Sequence, residues 1–116
     1  MIIIHCDDSQ EILEVVRSIL IDRIPAARVE SFQNPIEAIQ RAKLDSPDLF
    51  ITDGQMFELQ GPQVIKQLRN NGFKGFIAMY SGDVGNTPEG ANYRAYKGDG
   101  QTAIDEILKR VSLCEI

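Results

Sequence analysis

The sequence predicts an α/β domain in which helices cover both faces of a doubly wound, five-stranded parallel sheet. Short apolar runs rich in β-branched residues alternate with segments of helical periodicity. The connections between them are short, and this alternation favours parallel strands joined by crossover helices. No linker or internal repeat interrupts the pattern, so we expect residues 1–116 to form one domain.

The first elements are a buried strand, a helix and an edge strand. Residues 2–6 form an almost unbroken apolar run, which is typical of a strand buried on both faces. The segment Asp8-Ser9-Gln10-Glu11 is interpreted as a capping box that opens a helix, with Asp8 as the N-cap. Pro25 ends this helix. Residues 28–32 alternate only weakly, which favours an edge strand.

A second helix and a second buried strand follow. Asn34 is a favourable N-cap, and Pro35 suits the first helical position. The predicted apolar side of this helix consists of Ile36, Ile39, Ala42 and Leu44. Pro47 ends the region, and residues 48–52 then form a strand that stops at Asp53.

The third helix starts at Gly61 and Pro62 and closes at the Asn-Gly pair 71–72. Residues 73–80 form the next apolar run. The sequence therefore predicts a strand over 73–80 that ends at Ser81.

The connection between Ser81 and residue 92 is unusual in composition. Five of the nine glycines fall between Ser81 and Gly100, and Pro88 lies among them. A crossover with its own helix needs about 10–12 residues, and glycine and proline disfavour a helix interior. We therefore predict a fourth helix of one turn or none. A short strand over 93–96 and a final amphipathic helix complete the pattern.

Polar side chains follow four of the five predicted strands. Because the carboxyl ends of parallel strands meet at one edge of the sheet, we expect these side chains to lie together. They are Asp7, Asp8, Asp53, Ser81 and Lys97. Two carboxylates 4 Å apart repel by about 4 kcal/mol at an effective dielectric near 20, so the cluster favours a hard cation such as Mg²⁺. An ammonium and a hydroxyl beside it suit phosphoryl transfer onto an aspartate.

In this set of residues the chain resembles the response-regulator receiver domains of bacterial two-component signalling. The resemblance rests on Asp7-Asp8, the stretch 53–56 with Gly61 after it, Ser81, and Lys97. It covers essentially the whole chain. It implies a flavodoxin-like sheet with the strand order 2-1-3-4-5.

The resemblance also implies a role for each of these residues. Asp53 would accept a phosphoryl group from a histidine kinase, a phosphotransfer protein or a small phosphodonor, and the acyl phosphate would hydrolyse slowly. Asp8 directly and Asp7 through water would hold Mg²⁺, together with Asp53 and the main-chain carbonyl of Gln55.

Two further residues would act on the phosphoryl group: Ser81 as the switch hydroxyl and Lys97 as the cation that pairs with it. The chain would be a signalling domain and not an enzyme in the usual sense.

Besides Phe57, which follows Met56 where a proline is common in the family, three features depart from the family pattern. Gly98 follows the lysine where a proline is usual, and Arg94 replaces the switch aromatic three residues before the lysine. The short fourth crossover alters the surface that usually transmits the signal. These departures favour the alternative of a pseudo-receiver, a docking or dimerisation module that works without phosphorylation. An aspartate-dependent phosphatase is a weaker alternative, because it needs a second acid where Gln55 stands.

Composition narrows the partners. The 17 acidic and 12 basic residues give a net charge of -5 with no Lys/Arg block, which argues against nucleic acid and anionic membranes as partners. The longest apolar runs are far shorter than the roughly 20 residues of a membrane span. Cys6 and Cys114 lack metal-site spacing, and with no signal peptide we expect a cytoplasmic protein. The downstream protein stays unknown, and a homodimer is one open alternative. His5 is interpreted as a core residue.

Overall fold

The computed structural model describes residues 1–114 and shows a five-stranded parallel sheet between two helical layers. The strands are β1 (Ile2–Cys6), β2 (Arg28–Phe32), β3 (Leu49–Asp53), β4 (Phe76–Ser81) and β5 (Tyr93–Tyr96). The helices are α1 (Gln10–Arg23), α2 (Pro35–Asp45), α3 (Gly61–Asn70) and α4 (Gln101–Cys114). Residues 115 and 116 lie outside the described part of the chain, so one domain over 1–116 stays a prediction.

The strand order is β2-β1-β3-β4-β5, and every neighbouring pair is parallel. This confirms the predicted fold class and the predicted order 2-1-3-4-5. It also confirms that β2 is an edge strand.

The core has two parts, one on each face of the sheet, because successive residues of a strand point to opposite faces. On one face, Ile3 and Ile51 belong to a cluster with residues of α1 and α4, such as Leu20 and Ile104. On the other, Ile4, Phe50 and Ile77 belong to a cluster with Ile39 of α2 and Ile65 of α3. Strands with apolar residues on both faces are therefore sandwiched between helices, as their β-branched runs predicted.

Two predicted helix features of the first half need correction. The N-cap of α1 is Ser9, whose Oγ accepts a hydrogen bond from the Ile12 N–H; it is not Asp8. On α2, Asn34 is the N-cap as predicted, but Ile36 and Leu44 are 43% and 79% exposed. They lie off the buried stripe, which consists of Ala38, Ile39 and Ala42 with Pro35.

The strand predicted to start at Phe73 and to end at Ser81 is wrong at its start, because β4 is Phe76–Ser81. The ring of Phe73 instead packs edge-on against Phe50, with centroids 6.5 Å apart. Gly75 lies so close to Phe73 and to the Pro47 carbonyl that a Cβ there would clash. Residues 73–75, the first of this apolar run, therefore belong to the turn between α3 and β4.

Residues 82–92, between β4 and β5, contain no helix, which confirms the predicted loss of the fourth crossover helix. Side chains hold this loop in place of a helix. Asn92 Oδ1 accepts hydrogen bonds from the Ile77 N–H at 2.8 Å and from Arg69 Nη2 at 3.0 Å. Arg69 Nε also donates to the Gly90 carbonyl at 2.8 Å. Within residues 1–114, no helix is long and apolar enough to cross a membrane.

Candidate functional site

Four parallel strands deliver the predicted site residues to one edge of the sheet. Asp7 follows β1, Asp53 is the last residue of β3, and Ser81 is the last residue of β4. Lys97 follows β5 and begins a 3₁₀ turn, Lys97–Asp99. The site is therefore built where parallel strands end, as expected for this architecture.

Three carboxylates converge at this edge. One oxygen from each of Asp7, Asp8 and Asp53 lies within 4.8 Å of the other two. Asp7 and Asp53 are buried, whereas Asp8 is exposed. At an effective dielectric of about 20, two such charges 4.8 Å apart repel by about 3.5 kcal/mol. The cluster therefore needs a compensating cation.

Lys97 supplies part of that compensation. Its Nζ lies 2.8 Å from Asp7 Oδ2 and 2.9 Å from Asp53 Oδ1, and it donates a hydrogen bond to the latter. Burial lowers the pKa of Lys97, but the contacts with the two aspartates outweigh burial and raise the pKa overall. Lys97 is therefore a fixed positive charge. Its Nζ also lies 5.8 Å from the centroid of the Tyr80 ring.

Asp7 is held by the start of α1. Its Oδ1 accepts a hydrogen bond from the Ser9 N–H at 2.9 Å. Its Oδ2 is buried and forms an ion pair with Lys97 Nζ at 2.8 Å. The two oxygens of Asp7 are therefore held by the start of α1 and by Lys97.

Asp53 is fixed by its own loop and by a glycine behind it. Its Oδ1 accepts from the Gly54 N–H at 2.7 Å as well as from Lys97. Burial, together with the charge of Asp7, raises the pKa of Asp53 despite the opposing contacts with Lys97. Gly61 N donates to the Gly54 carbonyl at 2.9 Å, and a Cβ at position 61 would lie 2.5 Å from the Asp53 carbonyl oxygen. Only glycine lets α3 start this close to the end of β3.

The Ser81 hydroxyl is buried and is engaged by Asp83, two residues further along the chain. It donates a hydrogen bond to Asp83 Oδ1 at 2.5 Å, and the Asp83 carboxylate forms an ion pair with Arg94 at 2.9 Å. The hydrogen bond from Ser81, together with the charge of Arg94, lowers the pKa of Asp83. A charged residue in the short strand β5, beside a glycine-rich loop, was the sequence signal that could have revealed this pair.

An open cleft of about 330 Å³ lies beside Asp53. Its lining consists of Asp53, Gln55, Ser81, Gly82, Asp83 and Lys97. Gln55 is thus at the site, but its main-chain carbonyl as a metal ligand stays a prediction.

Comparison with known proteins decides the family. Residues 3–111 match the sequence profile of the response regulator receiver domain. The chain belongs to this family. It matches no curated protein. Receiver domains are signalling domains of two-component systems, typically bind Mg²⁺ at an acidic pocket, and interact with histidine kinases or phosphotransfer proteins.

Solved receiver structures share the fold of this receiver domain. The chemotaxis response regulator CheY4 of Vibrio cholerae is 24% identical with a TM-score of 0.81, covering 95% of this chain and 97% of that one. The response regulator domain of Thermotoga maritima CheB is 22% identical with a TM-score of 0.80, covering 97% and 94%. The isolated REC domain of RcsB from Salmonella enterica serovar Typhimurium, determined with the phosphomimetic BeF3⁻, is 19% identical with a TM-score of 0.79, covering 94% and 86%.

The acidic pocket of this receiver domain has the chemistry that Mg²⁺ requires. Its donors are hard carboxylate oxygens, and one from each of three aspartates lies within 4.8 Å of the other two. A divalent ion would also relieve the repulsion within the cluster.

The glycine after Lys97 has a local cause in this receiver domain. A Cβ at position 98 would strike the ring of Tyr96, which lies against Gly98. A larger residue at position 98 would therefore require the exposed Tyr96 side chain to move.

The neighbouring buried groups carry no charge. His5 lies wholly inside the sheet, and burial, with the charge of Lys97, lowers its pKa to about 3. Burial raises the pKa of Cys6 to about 12, and its Sγ lies 3.5 Å from Met56 Sδ. His5 is thus a neutral core residue, as predicted.

Proposed function

We propose that this receiver domain accepts a phosphoryl group on Asp53 in the presence of Mg²⁺ and thereby signals to a downstream protein. One observation carries the proposal: the carboxylates of Asp7, Asp8 and Asp53 converge within 4.8 Å, and Lys97 Nζ lies 2.9 Å from Asp53 Oδ1. The donor is the phosphohistidine of a histidine kinase or phosphotransfer protein, or a small phosphodonor.

In the transfer step, a carboxylate oxygen of Asp53 attacks the phosphorus atom of the donor. The new O–P bond forms as the P–N bond of phosphohistidine breaks, and the imidazole leaves with the electron pair. The signal ends when a water molecule attacks the same phosphorus atom. The O–P bond to Asp53 breaks, inorganic phosphate is released, and the carboxylate is restored. When acetyl phosphate is the donor, the transfer to Asp53 breaks its P–O bond instead of a P–N bond, and acetate leaves with the electron pair.

The residues around Asp53 divide the work of handling charge. Asp7, Asp8, Asp53 and the main-chain carbonyl of Gln55 would hold Mg²⁺, which supplies positive charge to the transferring phosphoryl oxygens. Lys97, fixed as a cation, pairs with another phosphoryl oxygen. Ser81 lines the same cleft and can donate its hydroxyl proton to a third.

A pseudo-receiver is the second candidate, and two observations favour it. The loop 82–92 lacks the helix that usually contributes to signal output, and the Ser81 hydroxyl is engaged by Asp83. In that case the domain would serve as a docking or dimerisation module without phosphorylation.

The two candidates are separated by incubating the protein with Mg²⁺ and acetyl phosphate and measuring the intact mass. An active receiver gains one phosphoryl group, requires Mg²⁺, and loses the gain in Asp53→Asn. The matched control is Asp99→Asn, because Asp99 is exposed and lies outside the acidic cluster. No gain in the unmodified protein, or an undiminished gain in Asp53→Asn, would refute phosphorylation of Asp53 and leave the pseudo-receiver.

A further inference from the structure

The hydroxyl of Ser81 is committed to one partner, Asp83. Ser81 is 2% exposed, its Oγ donates to Asp83 Oδ1 at 2.5 Å, and the Asp83 N–H points back to Oγ at 3.3 Å. A hydroxyl has a single proton to donate. Ser81 can therefore donate to a phosphoryl oxygen only after it leaves Asp83.

Arg94 holds Asp83 in place. Its Nη2 lies 2.9 Å from the same Asp83 Oδ1 and 3.3 Å from the Asp83 carbonyl. Its side chain is only 17% exposed, and its Nε is buried with no hydrogen-bond partner among residues 1–114. Asp83 Oδ1 thus accepts hydrogen bonds from both the Ser81 hydroxyl and the Arg94 guanidinium.

Arg94 also anchors the loop 82–92. Its Nη1 donates to the Asn86 carbonyl at 3.0 Å. Gly85 packs on the guanidinium, since a Cβ there would lie 3.1 Å from Nη1. The conformation of the loop therefore depends on where the Arg94 guanidinium is held.

Ser81 and Asp83 form the boundary between two clefts. Both residues line the cleft that contains Asp53 and Lys97, and both also line a second cleft of about 270 Å³ that contains Arg94. Ser81 and Asp83 therefore lie between Asp53 on one side and Arg94 on the other.

We propose that Asp83 and Arg94 form a charged latch that holds the Ser81 hydroxyl away from the phosphorylation site and that opens when Asp53 is phosphorylated. This inference rests on the proposed function. The phosphoryl group offers acceptors to Ser81, which then releases Asp83 Oδ1. The pair Asp83–Arg94 rearranges, and the loop 82–92 changes conformation in place of the missing helix. In this way the Asp83–Arg94 ion pair connects the phosphorylation site at Asp53 to the surface formed by the loop 82–92.

The test uses Mg²⁺ with BeF3⁻ as a phosphoryl mimic and follows binding and NMR shifts together. In the unmodified protein, binding shifts the amides of Gly85 and Asn86 and the Nε–H of Arg94. In Ser81→Ala, at BeF3⁻ concentrations that saturate the weakened site, these shifts vanish. In Arg94→Met, the Gly85 and Asn86 amide signals already lie closer to their BeF3⁻-bound shifts before BeF3⁻ is added. This second variant tests the latch even if Ser81→Ala fails to fold.

A double-mutant cycle separates the latch from simple removal of a negative charge. Asp83→Asn should tighten BeF3⁻ binding by roughly threefold to tenfold, because Ser81 no longer has to leave a charged acceptor. The latch requires that this gain disappear in the Ser81→Ala background, whereas an electrostatic effect alone would persist there and overturn the proposal. Asp99→Asn is the control for an exposed carboxylate outside the acidic cluster.

The remaining outcomes distinguish the two levels of the argument. If the unmodified protein binds BeF3⁻ without shifts at Gly85, Asn86 and Arg94, the latch is wrong and phosphorylation of Asp53 stands. If BeF3⁻ does not bind at all, both the latch and the proposed function are wrong.

Discussion

Replacing Lys97 with methionine tests how the acidic cluster is neutralised in the ion-free protein. The change keeps most of the side-chain volume but removes a charge that lies 2.8 Å from Asp7 Oδ2 and 2.9 Å from Asp53 Oδ1. Two buried carboxylates, with oxygens no more than 4.8 Å apart, then face each other directly. Either one of the two carboxylates takes up a proton, or their repulsion lowers the free energy of unfolding.

The expected loss follows from the burial of this group. Removing one partner of a buried ion pair costs about 3–5 kcal/mol, and the repulsion left between the two aspartates is of the same order. Because the Lys97 side chain is 21% exposed, water screens part of the effect. We expect the free energy of unfolding at neutral pH to fall by about 2–3 kcal/mol without Mg²⁺.

Urea unfolding of the unmodified protein and of Lys97→Met, with and without Mg²⁺, measures this loss. Mg²⁺ should stabilise the variant more than the unmodified protein, because the ion replaces the missing charge. Lys109→Met is the control, since Lys109 is exposed and outside the cluster. Equal stabilisation of both proteins by Mg²⁺, or no loss without it, would refute the view that Lys97 and the metal compensate the same charges.

Three further predictions concern residues around the site. Gly61→Ala should lower the free energy of unfolding by about 2–3 kcal/mol, because its Cβ meets backbone; Gly82→Ala, with open space around it, should change the urea midpoint little, and equal effects would contradict this. His5 has a folded pKa of about 3 against 6.5, so stability is lost as the pH falls below about 6.5 toward 3, at up to about 1.4 kcal/mol per pH unit. In pH-dependent urea unfolding, His5→Leu should lack this loss, and an unchanged pH slope would refute it. Iodoacetamide near neutral pH should alkylate the exposed Cys114 and spare the buried Cys6, whose pKa is about 12. Mass spectrometry of the folded protein checks this, and alkylation of Cys6 at the rate of Cys114 would contradict it.

Local sequence signals predicted well where one element decides the outcome. The run Ile2–Cys6, buried on both faces, could only be an interior strand, and Asn34 with Pro35 marked a helix start without help from other residues. The glycines and proline of loop 82–92 excluded a regular helix. Signals that several elements could share failed: Ser9 displaced Asp8 as the N-cap, and Phe73 went to a turn because its ring packs against Phe50.

The sequence by itself determined the alternation of strands and helices and the five polar residues that stand at the carboxyl ends of the strands. Those follow from periodicity and from the geometry of parallel crossovers, which bring strand ends to one edge whatever the details of packing. Only the tertiary structure decided which charges touch. The pairing of Lys97 with Asp7 and Asp53, and of Arg94 with Asp83, joins residues from separate strands and loops at about 3 Å. No sequence spacing determines such distances, because they depend on how buried side chains settle against one another after the sheet has formed.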